Sequence, residues 1–168
     1  AEVFGVPVLL NSNLVDGSLR ESAVKNETKI LLYEAGEALR FDEFSIRAGM
    51  KGILNVLQHL GMTRKSTSRK KKMAPFIANG SQWVRANASG IVHNIVNLGD
   101  QIIKGQVLAE IGSPYGEVID AVKATRSGIL IGKQNIPLVQ EGEAMFHIAY
   151  FSEDDEDIAE QIENVQEL

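Results

Sequence analysis

Glu34 is the residue whose setting in the sequence best suits acid–base chemistry. It follows residues 30–33, an apolar run that is too short for a helix and is typical of a buried strand. Ligands of open α/β sheets bind beyond the carboxyl ends of strands, and apolar surroundings raise the pKa of a carboxyl group toward that of a general base. Gly36 would let the chain turn sharply behind it. The alternative is an ordinary strand-end glutamate that caps the next helix or pairs with Arg40.

Arg20 is the second residue that could contact a substrate. It lies just upstream of the predicted strand, in a polar segment that also contains Gly17 and Ser18. A guanidinium group can hold a carboxylate by two parallel hydrogen bonds, so Arg20 is a candidate anchor for an acidic substrate. The alternative is a surface salt bridge with Glu21 or Glu37.

The sequence offers no metal-ligand cluster. It contains no cysteine and three histidines, His59, His93 and His147, and none of the three belongs to a His-x-x-Glu or His-x-x-x-His pair. A nucleophile elbow and a phosphate loop are also absent. We therefore predict no metal site in this chain and interpret the histidines as structural or surface residues.

Residues 1–62 have the pattern of a partial α/β domain, with a parallel or mixed sheet and helices on its faces. A short apolar strand is predicted at residues 6–10, a loop at 11–17 and a helical turn at 18–24. A long helix is predicted at 42–60, with Asp42 as N-cap and Gly61 as the stop. Its apolar side chains recur at helical spacing and form one stripe: Ile46, Met50, Ile53, Leu54, Leu57 and Leu60.

Two charged segments lie on either side of residues 76–151. Residues 63–75 form a basic linker, because six of the 17 basic residues lie between Arg64 and Lys72. We interpret it as a solvated connector rather than a nucleic-acid site, because no aromatic side chains are interleaved for base stacking. Residues 152–168 form an acidic tail, either a short amphipathic helix or a frayed end. The start at Ala1, without Met, suggests that upstream sequence is missing.

Residues 76–151 contain an internal repeat. The segment Ser89-Gly90-Ile91 recurs as Ser127-Gly128-Ile129, and the segment beginning at Gly105 recurs at Gly142, with offsets of 38 and 37 residues. Each half has the pattern of several short strands and Gly-centred turns, and neither could bury its apolar face alone. The repeat predicts an all-β domain, a sandwich or a barrel with pseudo-twofold symmetry.

Several segments of this sequence resemble the succinylglutamate desuccinylase/aspartoacylase family, which is related to zinc carboxypeptidases. The segment from Tyr33 to Glu43 is the most specific part of the resemblance. The others are Gly17-Ser18-Leu19-Arg20-Glu21-Ser22-Ala23 and Ile46-Arg47-Ala48-Gly49-Met50-Lys51-Gly52-Ile53-Leu54-Asn55-Val56-Leu57. Residues 76–151 resemble the β domain that follows the catalytic domain in that family, which implies a barrel-sandwich domain related to biotinyl and lipoyl carriers. The whole resemblance extends to about Phe151.

The resemblance implies a zinc-dependent deacylase and assigns roles to two residues. In the family, a glutamate in a Glu-x-Gly setting activates a zinc-bound water, which attacks an amide carbonyl that the zinc polarises. Glu34 matches that glutamate, because Glu34-Ala35-Gly36 preserves the setting, and Arg20 matches a substrate-carboxylate anchor less closely. The family's zinc ligands, a His-x-x-Glu pair and a later His, should lie upstream of Ala1. We therefore expect zinc in a full-length parent and an inactive chain when it stands alone.

The function predicted from the sequence is the C-terminal fragment of a zinc-dependent amidohydrolase acting on N-acyl amino acids or similar amides. The alternative is a non-catalytic assembly or binding module built on the β domain. A biotinyl or lipoyl carrier is rejected, because the connection from Gly112 to Glu117 lacks a lysine and Lys123 suits a strand edge. We further expect a small-molecule substrate, no nucleic acid or membrane partner, a homo-oligomer and a cytoplasmic location.

Overall fold

The structure is a computed structural model that describes residues 1–64 and 74–151. It divides into two compact units, Ala1–Pro75 and Phe76–Leu168. Most of the predicted basic linker and all of the predicted acidic tail lie outside the described residues.

The described part of the first unit contains one short strand and two helices. A single 3-10 turn, Glu2–Phe4, precedes β1, Val8–Leu10, and the helices are α1, Leu19–Lys25, and α2, Glu43–His59. Both helices begin at capping side chains that accept a backbone N–H three residues later. Ser18 accepts from Glu21, and Asp42 accepts from Ser45 at 2.8 Å. The predicted bounds of the long helix are thereby confirmed, together with a left-handed Gly61 at φ +74° just beyond it.

The strand predicted at residues 30–33 is absent, and that prediction is wrong. This segment has no regular secondary structure, and Leu31, Leu32 and Tyr33 are exposed. A strand exists only where a neighbour completes its ladder of hydrogen bonds. Within the described part of the first unit, β1 is the one strand, so the parallel or mixed sheet predicted for residues 1–62 is not formed there.

Most of the apolar stripe of α2 has no apolar cover among the described residues of the first unit. Ile46, Met50, Ile53 and Leu54 are exposed, whereas Leu57 is half-buried. The two buried residues of the helix are Gly49 and Gly52, and Gly49 borders the stripe because it lies three residues after Ile46. The described part of the first unit therefore leaves most of the face predicted to enter a core open.

The second unit consists of short strands. They are β2, Phe76–Ala78; β3, Gly80–Arg85; β4, Gly90–Asn94; β5, Gln101–Ile102; β6, Val107–Gly112; β7, Val118–Lys123; β8, Gly128–Lys133; β9, Leu138–Val139; and β10, Ala144–Tyr150. Eight of them form two four-stranded antiparallel sheets, in the orders β3-β10-β8-β5 and β7-β6-β4-β9. Both sheets are open, so the unit is a sandwich of sheets without a closed barrel.

The repeat in the sequence is a repeat in the topology. Replacing β3, β5, β8 and β10 by β7, β9, β4 and β6 converts the order of the first sheet into that of the second. Each sheet takes two strands from each half of the repeat, so neither half forms a sheet without the other. The predicted pairing of the two halves is confirmed, and the exchange explains why both halves keep the same spacing.

The core lies wholly within the second unit. Its fully buried large side chains include equivalent members of the two halves, such as Ile111 and Ile148. Burying a side chain of this size contributes about 1.5–3 kcal/mol relative to leaving it exposed. The others are Phe146, Ile102, Leu108, Ile129, Leu130, Met145 and Val122.

Two equivalent glycines begin matching strands and admit a close backbone approach. A Cβ on Gly90 would lie 2.6 Å from the carbonyl oxygen of Gly112. A Cβ on Gly128, whose φ is +155°, would collide with the carbonyl oxygen of Ala149. The conserved spacing within the chain therefore reflects a steric requirement that recurs at the start of β4 and of β8.

The connection between β6 and β7 is a tight hairpin that presents Tyr115 to solvent. Ser113 and Glu117 close it by a backbone hydrogen bond of 2.8 Å, and Gly116 adopts φ +88°. Lys123 lies at the end of β7, an edge strand, and is exposed.

In the residues described, no helix is both long enough and apolar enough to cross a bilayer.

Candidate functional site

Tyr33 fixes the segment before Glu34 to the first two turns of α2. Its hydroxyl donates a hydrogen bond of 2.9 Å to the backbone oxygen of Ser45. Its ring lies over Gly49, where a Cβ would be 2.9 Å from Cε1 of the tyrosine. The ring also contacts Phe4, with 5.3 Å between centroids and 38° between planes. The helix therefore needs a glycine at position 49 to receive this ring.

The same surroundings keep Tyr33 protonated. Although Tyr33 is exposed overall, partial desolvation of its hydroxyl by the neighbouring groups raises the pKa above its usual 10.0. The negative charge of Asp42 raises the pKa further, and the hydrogen bond to Ser45 partly opposes both. The hydroxyl therefore remains a donor at every pH near neutrality.

Gly36 holds the chain close to the start of α2 on the other side of Glu34. It adopts φ +77°, and a Cβ there would lie 3.3 Å from the Cβ of Asp42. The predicted sharp turn behind Glu34 is therefore present. Three residues after Gly36, the chain passes through Leu39, which has the unusual φ of +63° for a residue other than glycine.

Glu34 itself is exposed and makes no hydrogen bond or ion pair within the described residues. Both ordinary roles considered for it are taken by other side chains. Asp42 caps α2, and Arg40 lies 3.8 Å from Glu37, an exposed pair that contributes little stability. The structure leaves the general-base assignment a prediction, because it shows a carboxylate free to act but no apolar enclosure.

Arg20 lies on the first turn of α1 and is half-buried. Neither salt bridge considered for it forms. Glu21 accepts the N–H of Gly17 at 2.9 Å and pairs with Lys25 at 2.8 Å, so its carboxylate is occupied. These two contacts, that of Lys25 first, hold the pKa of Glu21 below its usual 4.5. Within the described residues, no hydrogen bond or ion pair joins Arg20 to Glu34, so their joint site stays a prediction.

A shallow groove of about 190 Å³ opens beside the Glu34 segment. Pockets that enclose a small-molecule ligand usually measure about 300–1,000 Å³. This groove therefore lacks walls that a complete substrate site would have. Leu39 and Phe41, near its rim, are 95% and 94% exposed. The residues that line it are Tyr33, Ala35, Gly36, Glu37, Arg40, Phe41, Asp42, Ser45 and Ile46.

The residues present do not fit a zinc site. Among residues 1–64 and 74–151, no group of three His, Cys, Asp or Glu side chains could hold a metal ion. His59 and His93 are exposed on α2 and β4. His147 stacks on Trp83 at 4.4 Å between ring centroids, and its Nε2 lies 2.7 Å from the hydroxyl oxygen of Ser81. Zinc therefore stays an expectation about a longer protein.

Reasoning from the sequence missed Tyr33 as a structural anchor. A signal was available, because Gly49 and Gly52 interrupt an otherwise good helix pattern, and glycine inside a helix marks a close approach. Gly52 receives the ring of Phe4, and Asn55 donates to the backbone oxygen of Phe4 at 3.1 Å. What the sequence could not show was which aromatic ring meets which glycine.

The fold is that of the succinylglutamate desuccinylase/aspartoacylase class of proteins. The resemblance noted in the sequence is thus confirmed at the level of the fold by solved structures of that family. Sequence identities of 19–22% show a common fold and nothing finer. No protein-family model and no curated protein matches the sequence.

Three solved structures illustrate the similarity. A succinylglutamate desuccinylase/aspartoacylase from Rhodobacter sphaeroides has a TM-score of 0.75 at 22% identity, over 92% of this chain and 48% of its own. The ectoine utilization protein EutE from Ruegeria pomeroyi has a TM-score of 0.76 at 19% identity, over 89% and 48%. An aspartoacylase family protein from Mesorhizobium loti has a TM-score of 0.64 at 19% identity, over 90% and 46%. The chain spans about half the length of each.

Proposed function

We propose that this chain is the C-terminal part of a zinc-dependent deacylase that hydrolyses the amide bond of an N-acyl amino acid or a similar amide. The observation that carries the proposal is the shared fold with desuccinylase/aspartoacylase structures about twice its length. Glu34 is the general base and Arg20 the anchor for a substrate carboxylate.

The open apolar face of α2 supports the view that the first unit belongs to a larger domain. Large exposed apolar patches on a globular protein usually mark a surface that another element covers. In the described part of this unit, the buried residues are two glycines, so it has no apolar core of its own. A further α/β segment would cover the stripe and supply a neighbour for residues 30–33.

A glutamate carboxylate can carry out the proton transfers that the proposed hydrolysis requires of Glu34. As a carboxylate it takes a proton from the attacking water, whose oxygen bonds to the amide carbonyl carbon. The carbon–nitrogen bond then breaks, and Glu34 passes the proton to the leaving amine. The products are a carboxylic acid and an amine. Glu34 has no partner among the described residues, which supports this role because no hydrogen bond within that part of the chain competes with it.

Arg20 supplies recognition in the same proposal. The planar guanidinium group of an arginine suits bidentate binding of a carboxylate. An arginine with no ion pair in the described residues keeps its donors available for a ligand. This role separates amino acid substrates from uncharged amides.

Zinc dependence rests on the family resemblance alone, and its ligands would come from sequence outside this chain. Metal analysis and an amide-hydrolysis assay with N-acyl amino acids, performed on this chain and on a longer protein that contains it, test the proposal. We expect zinc and turnover in the longer protein and neither in this chain. Stoichiometric tightly bound zinc with turnover in this chain, or a longer protein that hydrolyses no such amide, would refute it.

A further inference from the structure

We infer that Tyr33 is a positioning residue for Glu34, an inference that rests on the proposed function because it needs Glu34 to act as the base. Tyr33 touches no substrate in this account. It acts by fixing the backbone from which the Glu34 side chain extends.

The anchor has three independent contacts with the first unit. The hydroxyl of Tyr33 donates to the backbone oxygen of Ser45, the ring fills the space left by Gly49, and the ring also contacts Phe4. Phe4 in turn fills the space left by Gly52. The two helix glycines therefore receive two rings that contact each other in a tilted arrangement, and this pair holds the residue next to Glu34 against α2.

Gly36 brings the chain close to α2 again three residues after Tyr33. Its backbone lies so near that helix that a Cβ would be 3.3 Å from Asp42 and 3.7 Å from Ser45. Glu34 therefore lies between the hydrogen-bonded anchor of Tyr33 and the close approach of Gly36, both at the start of α2. A short segment restrained on both sides loses part of its backbone freedom.

External fixing matters because Glu34 makes no bond of its own in the described residues. A catalytic group must be held to within about 0.5 Å of its productive position. A misplacement of about 1 Å can cost on the order of 10²-fold in rate. For an exposed carboxylate without partners, that restraint has to come from the backbone on either side.

The first experiment measures order in this chain by ¹⁵N relaxation of the Glu34 backbone amide. We expect an order parameter near the value of about 0.85 that is typical of rigid backbone, falling toward about 0.6 in Tyr33→Leu and in Gly49→Ala. Tyr33→Phe, which keeps the ring and loses one hydrogen bond, should give an intermediate value. Tyr115→Phe removes a hydroxyl from an exposed hairpin tyrosine and serves as the matched control.

The second experiment measures rate in an active longer protein that carries the same substitutions. Tyr33→Leu should lower kcat by about 10-fold or more with KM nearly unchanged, since orientation rather than binding is lost. Tyr33→Phe should recover most of that loss. If Tyr33→Leu unfolds the first unit, the rates of Gly49→Ala and Tyr33→Phe decide whether Tyr33 positions Glu34. Hydrogen exchange of the α2 amides checks that these variants are folded.

The two proposals fail in different ways. An unchanged Glu34 order parameter in both Tyr33→Phe and Gly49→Ala overturns the positioning role, whatever the enzyme does. A disordered Glu34 with an unchanged kcat overturns it as well. A normal kcat in Glu34→Gln instead removes Glu34 from the reaction and refutes the proposed function.

Discussion

The ring of Phe4 occupies the space that a side chain at position 52 would need, so that a Cβ on Gly52 would collide with Cε1 and Cζ of the phenylalanine. This contact joins the start of the chain to the middle of α2, and the hydrogen bond from Asn55 to the Phe4 backbone oxygen lies beside it. Because the first unit has so little other burial, the contact carries a large share of its local stability.

Gly52→Ala should destabilise the packing of α2 on Phe4. Alanine favours a helix over glycine by about 1 kcal/mol, but overpacking typically costs about 1–3 kcal/mol, so the net effect is a loss where Phe4 cannot move. Hydrogen exchange of the α2 amides measures this loss of stability residue by residue. Lys51→Ala, at the neighbouring exposed position, is the control, and faster exchange there than in Gly52→Ala would contradict the expectation.

In the second unit, Gly90→Ala should be more damaging than Gly112→Ala. The nearest atom to the new Cβ is a backbone oxygen at 2.6 Å in the first variant and at 3.3 Å in the second. We expect Gly90→Ala to lose about 1–3 kcal/mol and Gly112→Ala much less. The single tryptophan, Trp83, lies on β3, so its fluorescence follows unfolding of this unit. Equal unfolding midpoints for the two variants would be inconsistent with the close approach of Gly90 to the backbone oxygen of Gly112.

The cap of α1 should depend on pH through Glu21. The pKa of this carboxyl is lowered, first by Lys25 and then by the N–H of Gly17. A depressed folded-state pKa contributes stability that is present above the unfolded value of 4.5 and is lost as the pH falls through the folded value. The protection factors of the α1 amides, which compare exchange with the intrinsic rate at the same pH, should therefore fall below pH 4.5. In Glu21→Gln this fall should disappear, and its persistence would rule out the carboxylate as the cause.

Arg20→Ala should weaken substrate binding in an active longer protein. Loss of a carboxylate anchor raises KM more than it lowers kcat, because the contact exists before and during the reaction. Charged hydrogen bonds of this kind contribute about 1.5–3 kcal/mol, which corresponds to roughly a 10- to 150-fold rise in KM. Arg47→Ala, on an exposed face of α2 beside Glu43, is the control. An unchanged KM in Arg20→Ala would return Arg20 to an ordinary surface role.

Local signals in the sequence predicted those parts of the fold that depend on local physics. Asp42 and Gly61 mark the ends of α2 because capping and left-handed turns need particular residues. The repeat predicted the second unit because each half encodes the same strands. The strand predicted at residues 30–33 was wrong, because an apolar run indicates side chains suited to burial but does not show whether a neighbouring strand is present.

The candidate site was only partly predictable for the same reason. Glu34 and Gly36 could be selected from their order in the chain, and the turn at Gly36 is present. The anchor through Tyr33 depends on a contact between residues 33 and 49, and no local pattern specifies which partner a ring will find. Zinc ligands, substrate specificity and a homo-oligomer stay predictions, because they depend on groups beyond these residues.

The proposal that Glu34 is the catalytic base is tested most directly by Glu34→Gln in an active, zinc-loaded longer protein. Glutamine keeps the shape and removes the base, so kcat should fall by about 10²–10⁴-fold while zinc content stays near normal. Glu43→Gln, an exposed glutamate on α2, should leave kcat unchanged. A Glu34→Gln protein with near-normal kcat would contradict the account and leave Glu34 a surface carboxylate.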